Sequence, residues 1–294
     1  MTSIDTISAQ SRTIKPPLRA GQYLPLVPPA IVLMFVFAIP MGMMIGLSLR
    51  SAETGLLTLD HYRRFFADDL MTAGLVRTAV MSALVAICVT VMAYPVAYYL
   101  ARSTSRWRTM VFALAIAPEL AGVVLRTYGW LVILEDHGAI NTFLTWTGLI
   151  SEPLPLSKNM IGVVIGLTHV VLPFGVLSLL TSIQGIDPNL ERAAQILGAS
   201  RLSIIRRIIL PLSVPGVASS LLIAFTMSAS AYATPALLGG AGFKVLATMV
   251  YEQILFYIDW HFAAVIAVIL LVMMLTIAFL GARAEARLQR KLHI

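Results

Sequence analysis

Apolar residues in this chain fall into long runs, six of which are long enough to cross a bilayer: 24–49, 78–100, 109–134, 160–180, 215–238 and 262–282. A crossing helix needs about 20 mostly apolar residues at about 1.5 Å rise each. Lipid gives an open backbone group no hydrogen-bond partner, so each run is expected to be helical. The pattern predicts an all-α, polytopic membrane protein with six transmembrane helices over 24–282. A polar tail over 1–23 precedes them and a basic tail over 283–294 follows. The first run is too long for the core of a signal peptide and reads as a retained span.

Between the fourth and fifth runs the grammar changes. Gly185 is placed to end span four in a left-handed conformation, Asp187 to cap a new helix and Pro188 to take its first position, where no N–H is needed. Leu190, Ala193, Ala194 and Leu197 then recur at i, i+3, i+4 and i+7 on one face, with Glu191, Arg192 and Gln195 expected to point away. Gly198 breaks this helix. Ser200 can cap a second one, with Leu202, Ile205 and Ile208 or Ile209 as its apolar stripe, Arg201, Arg206 and Arg207 off it, and Pro211 as its stop. By pattern alone, this amphipathic helix, turn and helix fits an interfacial hairpin on the inner leaflet as well as it fits a docking element.

Composition agrees with the bilayer as solvent. Of 294 residues, 59% are apolar and 12% charged, where soluble domains hold about 45–50% and about 25%. A net charge of +7 raises nucleic acid as a partner class, but the distribution removes it. Basic residues gather in both tails and in the loops around Arg102, Arg106, Arg108 and Arg192 to Arg207. Acidic residues such as Asp60, Asp68, Asp69, Glu135, Glu252 and Asp259 collect on the other side. The positive-inside rule then puts both termini in the cytoplasm. A single cysteine, Cys88, excludes an intrachain disulfide.

Ala193-Ala194, Gly198, Ile208 and Leu210-Pro211, at the spacing Ala-Ala-x3-Gly-x9-Ile-x-Leu-Pro, resemble the EAA loop of ABC-importer permeases. The position of that motif's glutamate holds Arg192, and the nearest acid is its neighbour Glu191. The resemblance implies the type I importer permease fold (MetI-like) in a bacterial inner (cytoplasmic) membrane. It also implies that loop 187–215 is a coupling element for an ATPase, with Glu191, Arg192, Ala193, Ala194, Gly198, Ile208, Leu210 and Pro211 as its working residues. The partners implied are a second homologous permease, two ATP-binding subunits and a periplasmic or other extracytoplasmic solute-binding protein. No G-x-x-x-x-G-K-[ST] phosphate loop occurs, so no cofactor is expected in this chain and ATP with Mg belongs to the partner ATPase.

Leu125-Arg126-Thr127-Tyr128-Gly129-Trp130, Gly138-Ala139-Ile140-Asn141, Thr234-Pro235-Ala236-Leu237-Leu238-Gly239-Gly240 and Val250-Tyr251-Glu252-Gln253 are similar to the spermidine and putrescine branch of these permeases. In that branch an acid often occurs near Ser230-Ala231-Tyr232, and here there is none. A buried Arg126 needs a partner, and Glu119 seven residues earlier is the candidate, two turns away on one helix face. Two readings stand open. Either the pair is structural, or Glu119, Arg126, Tyr128, Trp130, Ser230 and Tyr232 line a path for a small polar solute, a polyamine among the candidates. His169 has no titratable neighbour within a turn and reads as a packing histidine, and no metal-ligand spacing occurs. An ion-coupled secondary transporter is the alternative class, but it calls for internal repeats or a coupled set of intramembrane acids. A membrane enzyme calls for a catalytic constellation, and none is found in the spans.

Overall fold

A computed structural model describes residues 27–51 and 54–292. The N-terminal tail expected over 1–23 and the first residues of the first span lie outside the described residues. By compactness the chain divides into Met1–Gly46 and Leu47–Ile294. Helix α1 (Val27–Ser48) is apolar over its whole circumference and contains Pro40.

Among the described residues of the second unit the regular elements are helices, with one isolated bridge between Arg50 and Leu57. Short α2 (Asp60–Ala67) leads to α3 (Asp69–Arg102), whose 34 residues extend about 51 Å. It starts nine residues before the expected span because Asp68 caps it, accepting from the N–H groups of Leu70 and Met71. Next come α4 (Trp107–Ile116), a 3₁₀ turn (Ala117–Leu120), α5 (Val123–Leu134) and α6 (Ala139–Trp146). Helix α7 (Met160–Gln184) is capped by Asn159 and matches the expected fourth span closely.

Two expected spans are not straight rods. Over the third, Trp107–Leu120 and Val123–Trp146 meet at 101°. Pro118 sits in the first turn of the 3₁₀ segment, where its missing N–H costs nothing, and Ala121 and Gly122 are extended. The fifth is α11 (Val214–Ala229), a break at Ser230–Tyr232, and α12 (Ala233–Leu238). Among the described residues four helices pass the length and hydropathy test for crossing alone, and the bent pairs Trp107–Leu120 with Val123–Trp146 and Arg201–Leu212 with Val214–Ala229, each taken as one span, bring the count to six. After α13 (Leu246–Leu255), α14 (Trp260–Leu292) passes well beyond the expected end of the sixth span, so the described part of 283–294 continues the helix.

Helices α3, α7 and α11 pack against one another around Met81, Val85, Val89, Val163, Leu167, Val171, Ala224 and Phe225. Gly175 permits a close approach: a Cβ there would lie 2.5 Å from Cγ1 of Val89 and 3.2 Å from Oγ of Ser220. With no hydrophobic drive between helices in lipid, contact area gained through small residues holds them together. Buried Thr90 and Ser220 share a hydrogen bond of 3.0 Å across the same seam.

Gly175→Ile should therefore force α3 and α11 off α7 and cost about 1–3 kcal/mol. Gly129→Ala, with open space at its Cβ, should be nearly neutral. Thermal unfolding of the two variants in detergent measures the difference.

Candidate functional site

Two features gather the chemistry, and the first is the loop after α7. Gly185 has φ −70, so it does not end α7 in the expected left-handed form; Asp187 is extended and accepts from the N–H of Asn189, and Pro188 takes the first turn of α8 (Pro188–Ile196). Gly198 at φ +81 closes α8, a conformation that favours glycine. Ser200 caps α9 (Arg201–Ile204), accepting from Ser203 N–H. The expected stop at Pro211 is not where the helix ends. A π-turn over Ile205–Ile209 feeds α10 (Leu210–Leu212), and a bend of 68° leads into α11. The wider turn absorbs the proline, whose ring conflicts with ordinary i to i−4 geometry.

The orientation of α8 differs from the sequence expectation. Leu190 is 45% exposed and Leu197 87%, while Glu191, expected to face out, is 8% exposed. Arg102, the last residue of α3, is the cause. Its Nε donates to Oε1 of Glu191, its Nη2 donates to the carbonyl of Ile186 at 2.9 Å, and Tyr98 Oη donates to Oε2 of Glu191 at 3.1 Å. A part-buried arginine without a counter-charge costs several kcal/mol, and Glu191 is the acid within its reach. The stripe of the second helix shifts too: Ile204 and Ile209 are buried with Leu100, Leu179 and Ile183, and Leu202 is exposed. Arg192 stays outside, its Nη1 donating to Asn189 Oδ1 at 3.3 Å.

The second feature is the break before α5. Arg126 Nη1 lies 3.1 Å from Glu119 Oε1, with the arginine side chain 9% exposed and the glutamate 31%. The turn at 121–122 folds Glu119 back toward α5, closing a gap that two turns of straight helix would leave open. Trp130, one turn after Arg126, meets the His169 ring edge-on at 5.6 Å between centroids. Through Trp130, His169 joins this cluster, which sequence separation concealed. Arg126 Nε and His169 Nδ1 are buried without a protein partner. Tyr128, two residues from Arg126, falls on the opposite face and is exposed.

Ser230 spends its hydroxyl on the carbonyls of Thr226 and Met227, closing the end of α11. Tyr232 packs on Tyr251 at 4.3 Å between centroids, and beside it Lys244 Nζ pairs with Glu252 at 2.6 Å. Thr127 and Thr234 share a 3.1 Å hydrogen bond that joins α5 to α12. The six candidate path residues thus divide: Glu119, Arg126 and Trp130 form one cluster with His169, Tyr232 forms an aromatic pair, Ser230 closes the end of α11, and Tyr128 faces away from Arg126. Among the described residues no group of three or more His, Cys, Asp or Glu could hold a metal.

Comparison with known proteins matches residues 93–293 to the family described as binding-protein-dependent transport system inner membrane component. The chain is 31% identical over 268 residues to the spermidine/putrescine transport system permease protein PotB of Escherichia coli K12, covering 90% of this chain and 97% of that protein. It is 30% identical over 193 residues to the inner membrane ABC transporter permease protein YdcU of the same organism, covering 61% of each. Among solved structures, a bacterial alginate ABC transporter in complex with an alginate pentasaccharide-bound periplasmic protein aligns with TM-score 0.76 at 22% identity, over 92% of this chain and 95% of that one. A bacterial ABC transporter involved in alginate import aligns with TM-score 0.73 at 21% identity, over 92% and 96%.

The unequal burial of Glu119 and Arg126 predicts unequal damage. Glu119→Gln strands a buried cation and should lower stability by roughly 3 kcal/mol. Arg126→Met leaves the less buried partner of the pair and should cost less. Thermal unfolding of both variants, and of the double variant, measures the asymmetry.

Proposed function

Because the chain belongs to the binding-protein-dependent transport system inner membrane components, we propose that its loop 187–215 seats in an ATP-binding subunit and that its spans carry a small cationic solute. The chain is a permease of an ABC importer and a multi-pass inner membrane protein with the fold of importer permeases. In the full assembly it pairs with a second permease of the same kind, two ATP-binding subunits and an extracytoplasmic solute-binding protein. One solved neighbour is in complex with a periplasmic protein of its own system.

The observation that carries the coupling role is the exposed ridge of α8. Ile196 and Leu197 are 86% and 87% exposed on a polar loop, beside Ala193 and the open left-handed Gly198. Apolar side chains standing this far out of a charged surface mark a docking site. Small residues beside them let a partner's backbone come close. Arg192, Arg201, Arg206 and Arg207 lie in the same loop, and by the positive-inside rule they support a cytoplasmic position for it and for both termini. The opposite end carries exposed Phe143, Trp146, Phe256 and Tyr257, and these face the solute-binding protein.

For the solute, the named relative transports spermidine and putrescine. Glu119 supports a cation. It has the more exposed side chain of its ion pair, and one of its oxygens remains for an ammonium group. Tyr128 and the Tyr232–Tyr251 pair supply ring faces of the kind that attract cations. Trp130 is used up against His169.

The test is uptake of radiolabelled putrescine and spermidine by vesicles holding the whole complex. Vanadate should abolish it and collapse of the ion gradient should spare it; the opposite pattern means an ion-coupled carrier. Glu119→Gln, corrected for the amount of folded complex, should lower uptake about tenfold, as losing a contact of about 1.4 kcal/mol does. Gly198→Trp puts bulk on the docking face at a strained φ and should release the ATP-binding subunits; retained association with retained uptake would refute the docking role.

A further inference from the structure

The carboxylate of Glu191 does not point at the docking face. It lies under α8, 8% exposed, between Arg102 and Tyr98 at the foot of α3. Arg102 holds the loop at two places: its Nε takes the carboxylate in the first turn of α8, and its Nη2 takes the Ile186 carbonyl just before the helix begins. Around these bonds Leu100, Leu179, Ile183, Ile186, Ile204 and Ile209 close an apolar core that includes both helices of the hairpin. Tyr94, one turn before Tyr98, reaches Oγ of buried Ser213 at the bend into α11 at 2.9 Å. Three features of the loop, its entry, its first helix and its exit, are thus fastened to the last three turns of α3.

We propose that Glu191 is a positioning residue that makes the hairpin and the inner end of α3 one lever, so that a displacement imposed on α8 moves α3 and, through their packed seam, α11 and the break at Ser230–Tyr232. The inference rests on the permease reading and deepens it. The acid belonging to this loop faces inward as a strut, while Arg192 occupies the outward position. A buried carboxylate held by two hydrogen bonds, one to each oxygen, suits a strut. Charge-assisted bonds of fixed geometry transmit displacement, whereas an apolar contact in their place could slide. The α3 helix then carries the displacement toward Ser82 and Thr78, which lie in the outer half of the seam.

The experiment reads transmission without any solute. In a Cys88→Ala background carrying Ser230→Cys, the full complex in membrane vesicles is exposed to a membrane-impermeant maleimide, with and without ATP plus vanadate. Ser230 is exposed at the break of the fifth span, so the native loop should give a nucleotide-dependent change of severalfold in the labelling rate. Glu191→Gln should bring the two rates within about twofold while the ATP-binding subunits still co-purify and hydrolyse ATP. Arg102→Lys keeps the charge but cannot serve both acceptors, and should give an intermediate ratio. If Glu191→Gln fails to assemble, Tyr98→Phe removes one bond to the same carboxylate with both charges intact, and a partial loss is expected. A full nucleotide effect in the Glu191 variant, or in Tyr98→Phe should that variant not assemble, overturns the proposal. So does loss of the ATP-binding subunits from the Glu191 variant, because the carboxylate would then be a docking contact. Bound, active subunits with no nucleotide effect behind the native loop overturn it as well. Absence of any bound ATPase in that reference chain overturns the permease reading beneath it instead.

Discussion

In hydrocarbon a backbone N–H or C=O without a partner costs several kcal/mol, and this fold is arranged around that fact. Long helices satisfy it automatically, which is why α3, α7 and α14 run for 34, 25 and 33 residues. The interruptions are the informative places. Where the chain breaks at 121–122 and 230–232, each end is closed locally: Ala121 N–H returns to the Pro118 carbonyl, Thr127 hydroxyl to Val123, and Ser230 hydroxyl to Thr226. The candidate solute-facing groups sit beside these breaks, because only there does the backbone release side chains from the regular helical stagger.

The same constraint governs the charges. Two ion pairs join separate elements of the bundle. Glu119 and Arg126 lock the turn between the 3₁₀ segment and α5, and Arg102 and Glu191 lock the hairpin to α3. Arg77 serves similarly at the other end, donating to the carbonyls of Gly242 and Lys244 and so tying the loop before α13 to α3. Helix α3 thus carries a fastening at each end, and with α7 and α11 it forms the frame on which the irregular parts are mounted.

Much of the loop was legible along the chain because its signals are local. Asp187, Pro188, Gly198 and Ser200 act on backbone groups within three residues of themselves, and each takes the role that its chemistry predicts. The facing of α8 was not legible. Its periodicity names two faces but not which is inside, and the choice was made by Arg102, 89 residues away in sequence. The packing partner of His169 was not legible for the same reason: Trp130 comes from another stretch of chain.

Length and hydropathy of the runs by themselves determined a membrane protein built of helices, since the solvent dictates that outcome whatever the helices touch. Short-range capping chemistry and the spacing of Ala193, Ala194, Gly198 and Pro211 determined that the long loop is a folded hairpin of the importer-permease kind. Only the tertiary structure decided that the third and fifth spans are broken, that Glu191 turns in while Leu197 turns out, and that Arg126 meets Glu119 across a bend. Those outcomes depend on which distant side chain supplies a partner for a charge or a backbone group inside an apolar medium, and that pairing energy is set by proximity in space, which periodicity along a single chain does not encode.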